Sequence, residues 1–298
     1  MPATAYQADL PHTRQLLSQW LAANLDAKAM AWLNEKIVSF ETPKPLREFQ
    51  SAFGLAPRMV GKQPLLLTGR HLQQARDLRP GLDPAHWTAD QAARILLLLV
   101  LPHEDEDGFV KTTNQLFTAA DVGELTALYL ALPLLPHPEA LLSRASEGIR
   151  TSMDVVFNAV ALHNPYPMEY MNEAAWNQMI LKAVFIGSPL DKITGLDERA
   201  NPTLARIMRD YAHERWAAGR AVAPMLWRVV APFLNDNMLP DLVRLFENSS
   251  TEAEQQAAAL ACRQSNFPAA LQLLHAQRPD LAEKIIAGEL DWANLAGD

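Results

Sequence analysis

The stretch Arg144–Leu162, RASEGIRTSMDVVFNAVAL, sets Glu147, Arg150, Asp154 and Asn158 three or four residues apart. On a helix these side chains share one face, which can line a cleft or meet solvent as paired charges. The next words, HNPYPMEYMNEAAWNQM, place His163, Asn164, Tyr166, Glu169, Asn172, Trp176 and Asn177 beside two prolines. A proline-shaped turn presents side chains rigidly, an imidazole exchanges its proton near neutral pH, and amides orient hydroxyl or carbonyl groups. The same residues can instead cap helix ends and pack as aromatics. A third cluster, Gly195–Arg220, carries Arg206, Asp210, His213 and Glu214 on the polar face of a helix begun by Asn201 and Pro202. Arg206 is spaced to pair with Asp210, and a solvated charged face accounts for this cluster too.

The candidate catalytic residues are therefore Asp154, His163, Asp210 and His213, with a histidine as acid or base and an aspartate orienting it. The candidate ligand-binding residues are Glu147, Arg150, Asn158, Asn164, Tyr166, Trp176 and Asn177. His213 and Asp210 could share a cation with Asp154 or His163, but H-E-x-x-H is absent and a loose His and acid pairing is not specific. No metal and no cofactor are expected. The chain has no G-x-x-x-x-G-K-[ST] loop, no G-x-G-x-x-G after a strand and no G-x-S-x-G elbow, which disfavours an NTPase, a Rossmann dehydrogenase and an α/β-hydrolase. The single Cys262 lies in AAALACRQS and reads as a small core residue in a reducing compartment.

Helices must position these groups. Glycines number 12 and prolines 21, and the prolines fall between apolar stretches, as short loops between many helices require. Leu16, Leu17, Trp20, Leu21 and Leu25 form one stripe, and Leu204, Ile207, Met208 and Tyr211 another. Thr88 stands three residues before Gln91 as a capping box, and Pro102 stops the helix it begins. The acidic run PHEDEDGF, Pro102–Phe109, predicts a solvated loop, and PLLPHPEA and NPYPMEY predict turns. Ile149, Met153, Val156, Phe157 and Val160 are expected core residues. Residues 251–298 read as short helix pairs. These elements predict an all-α fold, an irregular α-α superhelix or a multi-helix bundle of stacked antiparallel helix pairs. It forms one domain over 1–298, with a soft boundary at 102–111 and a C-terminal layer at 251–298.

With 49% hydrophobic residues the chain can bury a sizeable core, and 26 Lys and Arg against 34 Asp and Glu disfavour a nucleic-acid partner. Its longest apolar runs are too short to span a bilayer, so no transmembrane segment is expected. The N-terminus lacks the charge and cleavage pattern of a secretory signal, which predicts a cytoplasmic protein.

The segments APRMVGKQPL, TADQAARILLLL, EGIRTSMDVVFNAVALHNPYP, WNQMILKAVFIGSPL and DERANPTLARIMRDYAHERWAAGR occur in that order, and together they resemble the EboA family over residues 45–235. HNPYP, WNQM and DERANP are the specific words. The resemblance implies a bacterial protein encoded with a gene set whose other members resemble a UbiA-type prenyltransferase, a TatD-type hydrolase, a sugar phosphate isomerase and a dehydroquinate synthase. It implies specialised metabolism and the making or moving of a metabolite precursor toward the periplasm, and it carries over no catalytic residues. Two readings follow. In one, the chain is a binding or scaffold component whose partner is a small-molecule metabolite or a pathway enzyme such as a membrane prenyltransferase. In the other, it is an enzyme acting on a hydroxylated or cyclitol-like intermediate through a His/Asp acid-base site.

Overall fold

The computed structural model describes residues 9–249 and 251–296. Among them are 18 α-helices, six short 3-10 turns and no strand, the all-α fold that the helical spacing predicts. The chain divides into two compact units, Met1–Asn172 and Glu173–Asp298.

The first unit contains α1 (Leu10–Ala22), α2 (Ala27–Phe40), α3 (Leu46–Val60), α4 (Gly69–Leu78), α5 (Ala89–Leu98), α6 (Glu106–Ala119), α7 (Val122–Ala131), α8 (Leu142–Arg150), α9 (Asp154–Ala161) and α10 (Tyr166–Tyr170). Its centre is α5, which packs against α1, α2, α3 and α7. Such a position needs a helix that is apolar on every side, and of α5 only Gln91 escapes full burial. Gln91 completes the expected capping box, its Oε1 accepting the Thr88 N–H at 2.9 Å. The two charges in α5 neutralise each other: Arg94 meets Asp90 at 3.1 Å one turn away and donates Nε to the Phe53 carbonyl at 3.0 Å. Leu16, Leu17, Trp20 and Leu21 of α1 are buried as their spacing predicts, whereas Leu25 lies past the helix end and is half-buried. A large apolar side chain buried in this way contributes about 1.5–3 kcal/mol.

Two local expectations are corrected. The acidic run is not a loop throughout, because α6 starts at Glu106 with Asp105 as its N-cap residue and Glu106 and Asp107 in its first turn. Acids there face the positive end of the helix dipole, so self-repulsion does not decide the segment. Residues 144–162 are not one helix either. The Thr151 hydroxyl accepts the Met153 N–H at 3.2 Å and α9 begins afresh at Asp154. A local hydroxyl bond of this kind competes with helical bonding. The break leaves Met153 36% exposed rather than in the core.

Close packing explains Gly148 on α8. A Cβ there would lie 2.6 Å from Val160 of α9 and 2.7 Å from the Tyr129 ring of α7. Only a residue without a side chain lets these three helices approach so closely.

The second unit contains α11 (Glu173–Ile186), α12 (Pro202–Ala217), α13 (Leu226–Val230), α14 (Leu239–Asn248), α15 (Glu252–Gln264), α16 (Pro268–Gln277), α17 (Pro279–Ile286) and α18 (Trp292–Ala296). Here α15 is central, packing on α13, α14, α16, α17 and α18 through the fully buried run Ala257–Cys262. On α12, Leu204 and Met208 are buried and Ile207 and Tyr211 half-buried. Asn201 caps α12 by accepting the Leu204 N–H at 2.8 Å, and Pro202 opens its first turn, as expected.

Candidate functional site

The polar residues of α8 and α9 separate at the Thr151–Met153 break. Glu147 and Arg150 line a cavity of about 350 Å³ with Arg144, Tyr129 and Phe117. Glu147 pairs there with Arg144 at 2.8 Å, and Arg144 also donates Nε to the Asn114 side chain at 2.6 Å. Burial pushes the Tyr129 hydroxyl up to about 12, so it stays a protonated donor at neutral pH. Asp154 is exposed in the first turn of α9 and Asn158 is half-buried one turn on, and neither lines this cavity.

The HNPYP segment is largely built into the frame. His163 adopts a left-handed backbone (φ 54°), lies 3.4 Å from Asp83 and packs its ring 4.7 Å from that of His86. Asn164 is buried and donates to the carbonyls of Tyr129 and Ala159 at 3.2 and 3.0 Å, while its own carbonyl accepts the Tyr166 N–H. The Tyr166 hydroxyl donates to the Pro138 carbonyl, and Tyr166 is fully buried. Glu169 forms two bonds to Arg79, at 2.7 and 2.5 Å. Trp176 and Asn177 belong to the second unit. Asn177 exchanges two amide bonds with Asn201, at 3.2 and 2.9 Å, and Trp176 lies under the Arg199 guanidinium.

His213 is oriented, though by a different acid from the one its sequence spacing offers. Its Nε2 meets Oδ1 of Asp241 at 2.7 Å, and the other Asp241 oxygen accepts from Arg209 at 2.5 Å. Asp241 is buried in the first turn of α14. Asp210 is exposed, and no ion pair joins it to Arg206 among the described residues. His213, Asp241, Trp216, Arg244 and Glu247 line an open groove of about 540 Å³. The Trp216 ring stacks on Trp227 at 5.8 Å, and the Arg244 guanidinium lies 4.7 Å from its centre. Among the described residues, no three His, Cys, Asp or Glu side chains are grouped to hold a metal ion.

A further cavity, of about 370 Å³, was not anticipated. Phe40 from the end of α2, Phe49 from α3, Leu101 from the link between α5 and α6, and Phe109 from α6 form its buried floor. Lys44, Glu104 and Asp105 stand exposed at its mouth. Phe40 and Phe49 pack with ring centroids 5.1 Å apart. Two proline-bearing turns, at Pro43 and Pro102, shape its walls. The sequence carries a signal for it: each of these turns is flanked by phenylalanines, Phe40 and Phe49 around the first and Phe109 after the second.

A family model described as metabolite traffic protein EboA matches residues 13–231. This chain belongs to the EboA family. The EboA match takes in every residue of the aromatic cavity and His213, while Asp241 and the rest of the α14 wall fall outside it. No curated protein and no solved structure matches this EboA chain. No described helix is long and apolar enough to cross a membrane.

Proposed function

We propose that this chain is a cytoplasmic metabolite-holding component of a bacterial specialised-metabolite pathway, which keeps a precursor bound on its way toward the periplasm. Its partners in this reading are that small molecule and a pathway enzyme such as a membrane prenyltransferase. The aromatic cavity of the first unit carries the proposal. Its volume suits a small molecule, its floor is apolar, and a few polar groups stand at the mouth where they can fix orientation. The family's description as a metabolite traffic protein supports it. Asn164, Tyr166, Glu169 and Asn177 are engaged in hydrogen bonds to the protein's own backbone and side chains, which favours a structural role for them.

The test is organic extraction and mass spectrometry of the purified full chain beside a Thr112→Trp variant, since Thr112 lines the cavity and an indole there fills it. A small molecule recovered from the natural sequence and lost from the variant is expected. Equal recovery from both overturns the assignment of the cavity.

One observation favours the second reading, an enzyme acting on a hydroxylated or cyclitol-like intermediate. His213 has the carboxylate partner that a general base needs: with Nε2 committed to Asp241, Nδ1 is left as the acceptor. Loss of pathway product in His213→Gln, with folding and ligand recovery intact, supports that reading, and unchanged output removes it.

A further inference from the structure

The cavity between the end of α2 and the start of α6 has an aromatic floor and an acidic mouth, and these two features constrain what it takes. We propose that it selects a cationic amphiphile, a protonated amine carried on an aromatic or aliphatic body. The inference rests on reading this cavity as the ligand site and adds the chemical class of the ligand.

The floor supplies the first half. Phe40, Phe49 and Phe109 are 5%, 2% and 2% exposed, so the surface they offer the cavity is small and apolar. Aromatic faces carry negative potential and attract an ammonium group as well as packing against its apolar body.

The mouth supplies the second half. Glu104 and Asp105 are exposed at the rim, and neither forms an ion pair among the described residues. Glu106, next in the chain but outside the lining, is engaged with His137 at 3.3 Å. The backbone N–H groups of Glu104 and His103 hold the Glu104 carboxylate below its usual range, so it is ionised at neutral pH. Lys44 is the one cation in the lining, which leaves an excess of one negative charge on the wall. Asp105 is the N-cap residue of α6, and Glu104, one residue before it, accepts the His103 N–H at 3.1 Å. An ammonium entering between the two carboxylates pairs with both, whereas a neutral ligand gains nothing from them and an anionic one is repelled.

Isothermal titration of the full chain with phenethylamine, phenethyl alcohol and phenylacetate at neutral pH tests the proposal, because the three probes share a ring and differ in charge. The amine is expected to bind about tenfold tighter than the alcohol at low salt, and phenylacetate weakest. Glu104→Gln combined with Asp105→Asn should erase the amine's advantage and leave the alcohol unchanged. Both positions are exposed and the Asp105 side chain makes no capping bond to α6, so the variant keeps the fold. Thr112→Trp should block all three probes. Equal binding of amine and alcohol, or an amine preference that survives the double substitution, overturns the charge assignment while the cavity reading stands. Absence of binding by all three probes overturns both.

Discussion

Asp241 holds His213 with one carboxylate oxygen and Arg209 with the other, at 2.7 and 2.5 Å, so one buried acid fixes two side chains of α12 from the start of α14. Replacing Asp241 by Asn leaves the Arg209 guanidinium without its counter-charge, at a cost of about 1–3 kcal/mol. Replacing His213, whose side chain is 47% exposed, should cost less than about 1 kcal/mol. Urea unfolding of the two variants measures the difference; equal losses would mean that Asp241 is not the anchor.

Arg79 and Glu169 form another ion pair, with its guanidinium buried and its carboxylate half-buried. The Arg79 side chain is 3% exposed and also donates Nε to the Pro133 carbonyl at 2.9 Å. Glu169→Gln should therefore destabilise the first unit by about 3 kcal/mol, because the buried guanidinium loses the Glu169 charge. The combined Arg79→Met and Glu169→Leu change is expected to lose less than Glu169→Gln alone. Thermal unfolding followed by circular dichroism checks the order.

Gly148→Ala offers a test of close helix approach. Alanine favours a helix over glycine by about 1 kcal/mol, but its methyl group would overlap the buried Tyr129 ring and Val160. Overpacking of this kind costs about 1–3 kcal/mol, so a net loss of stability is expected. Gly69→Ala on α4 is the control, since nothing lies within 4 Å of its added methyl. A stabilised Gly148→Ala would refute the packing argument.

Burial raises the Cys262 thiol from 9.0 to about 12. In the folded chain the thiol stays protonated through the range in which the unfolded chain ionises. Its stabilising effect is complete below about pH 9 and declines as the pH climbs toward 12. At pH 8 a thiol-specific reagent should leave the native protein unmodified and label it stoichiometrically in urea. Fast labelling without denaturant would contradict the buried position.

Local signals read well from the sequence because their partners are near. Thr88 and Gln91 sit three residues apart, Asn201 and Pro202 start α12, and the apolar spacing of α1 marks its buried face. The partners of Asn164 and His213 are not legible in the sequence, for the opposite reason. The carbonyl of Tyr129 lies 35 residues from Asn164 and Asp241 lies 28 from His213, and no spacing rule links such pairs. The helix break at Thr151 was legible in principle, since Thr, Ser and Asp at 151, 152 and 154 favour local hydroxyl and cap bonds over helix continuation. The aromatic cavity is not legible from periodicity, which assigns a phenylalanine to the interior without saying whether the interior is full there.

The family match stops at residue 231, immediately after α13, whereas α13 packs on α15 and buries Trp227 completely. A fragment cut at that edge would expose an indole and the Val229–Val230 pair to water, and would strip His213 of its acid. The limit of sequence similarity is thus a poor place for scissors: anyone expressing the shared segment alone should expect insoluble material, and should carry the chain through α15 at the least.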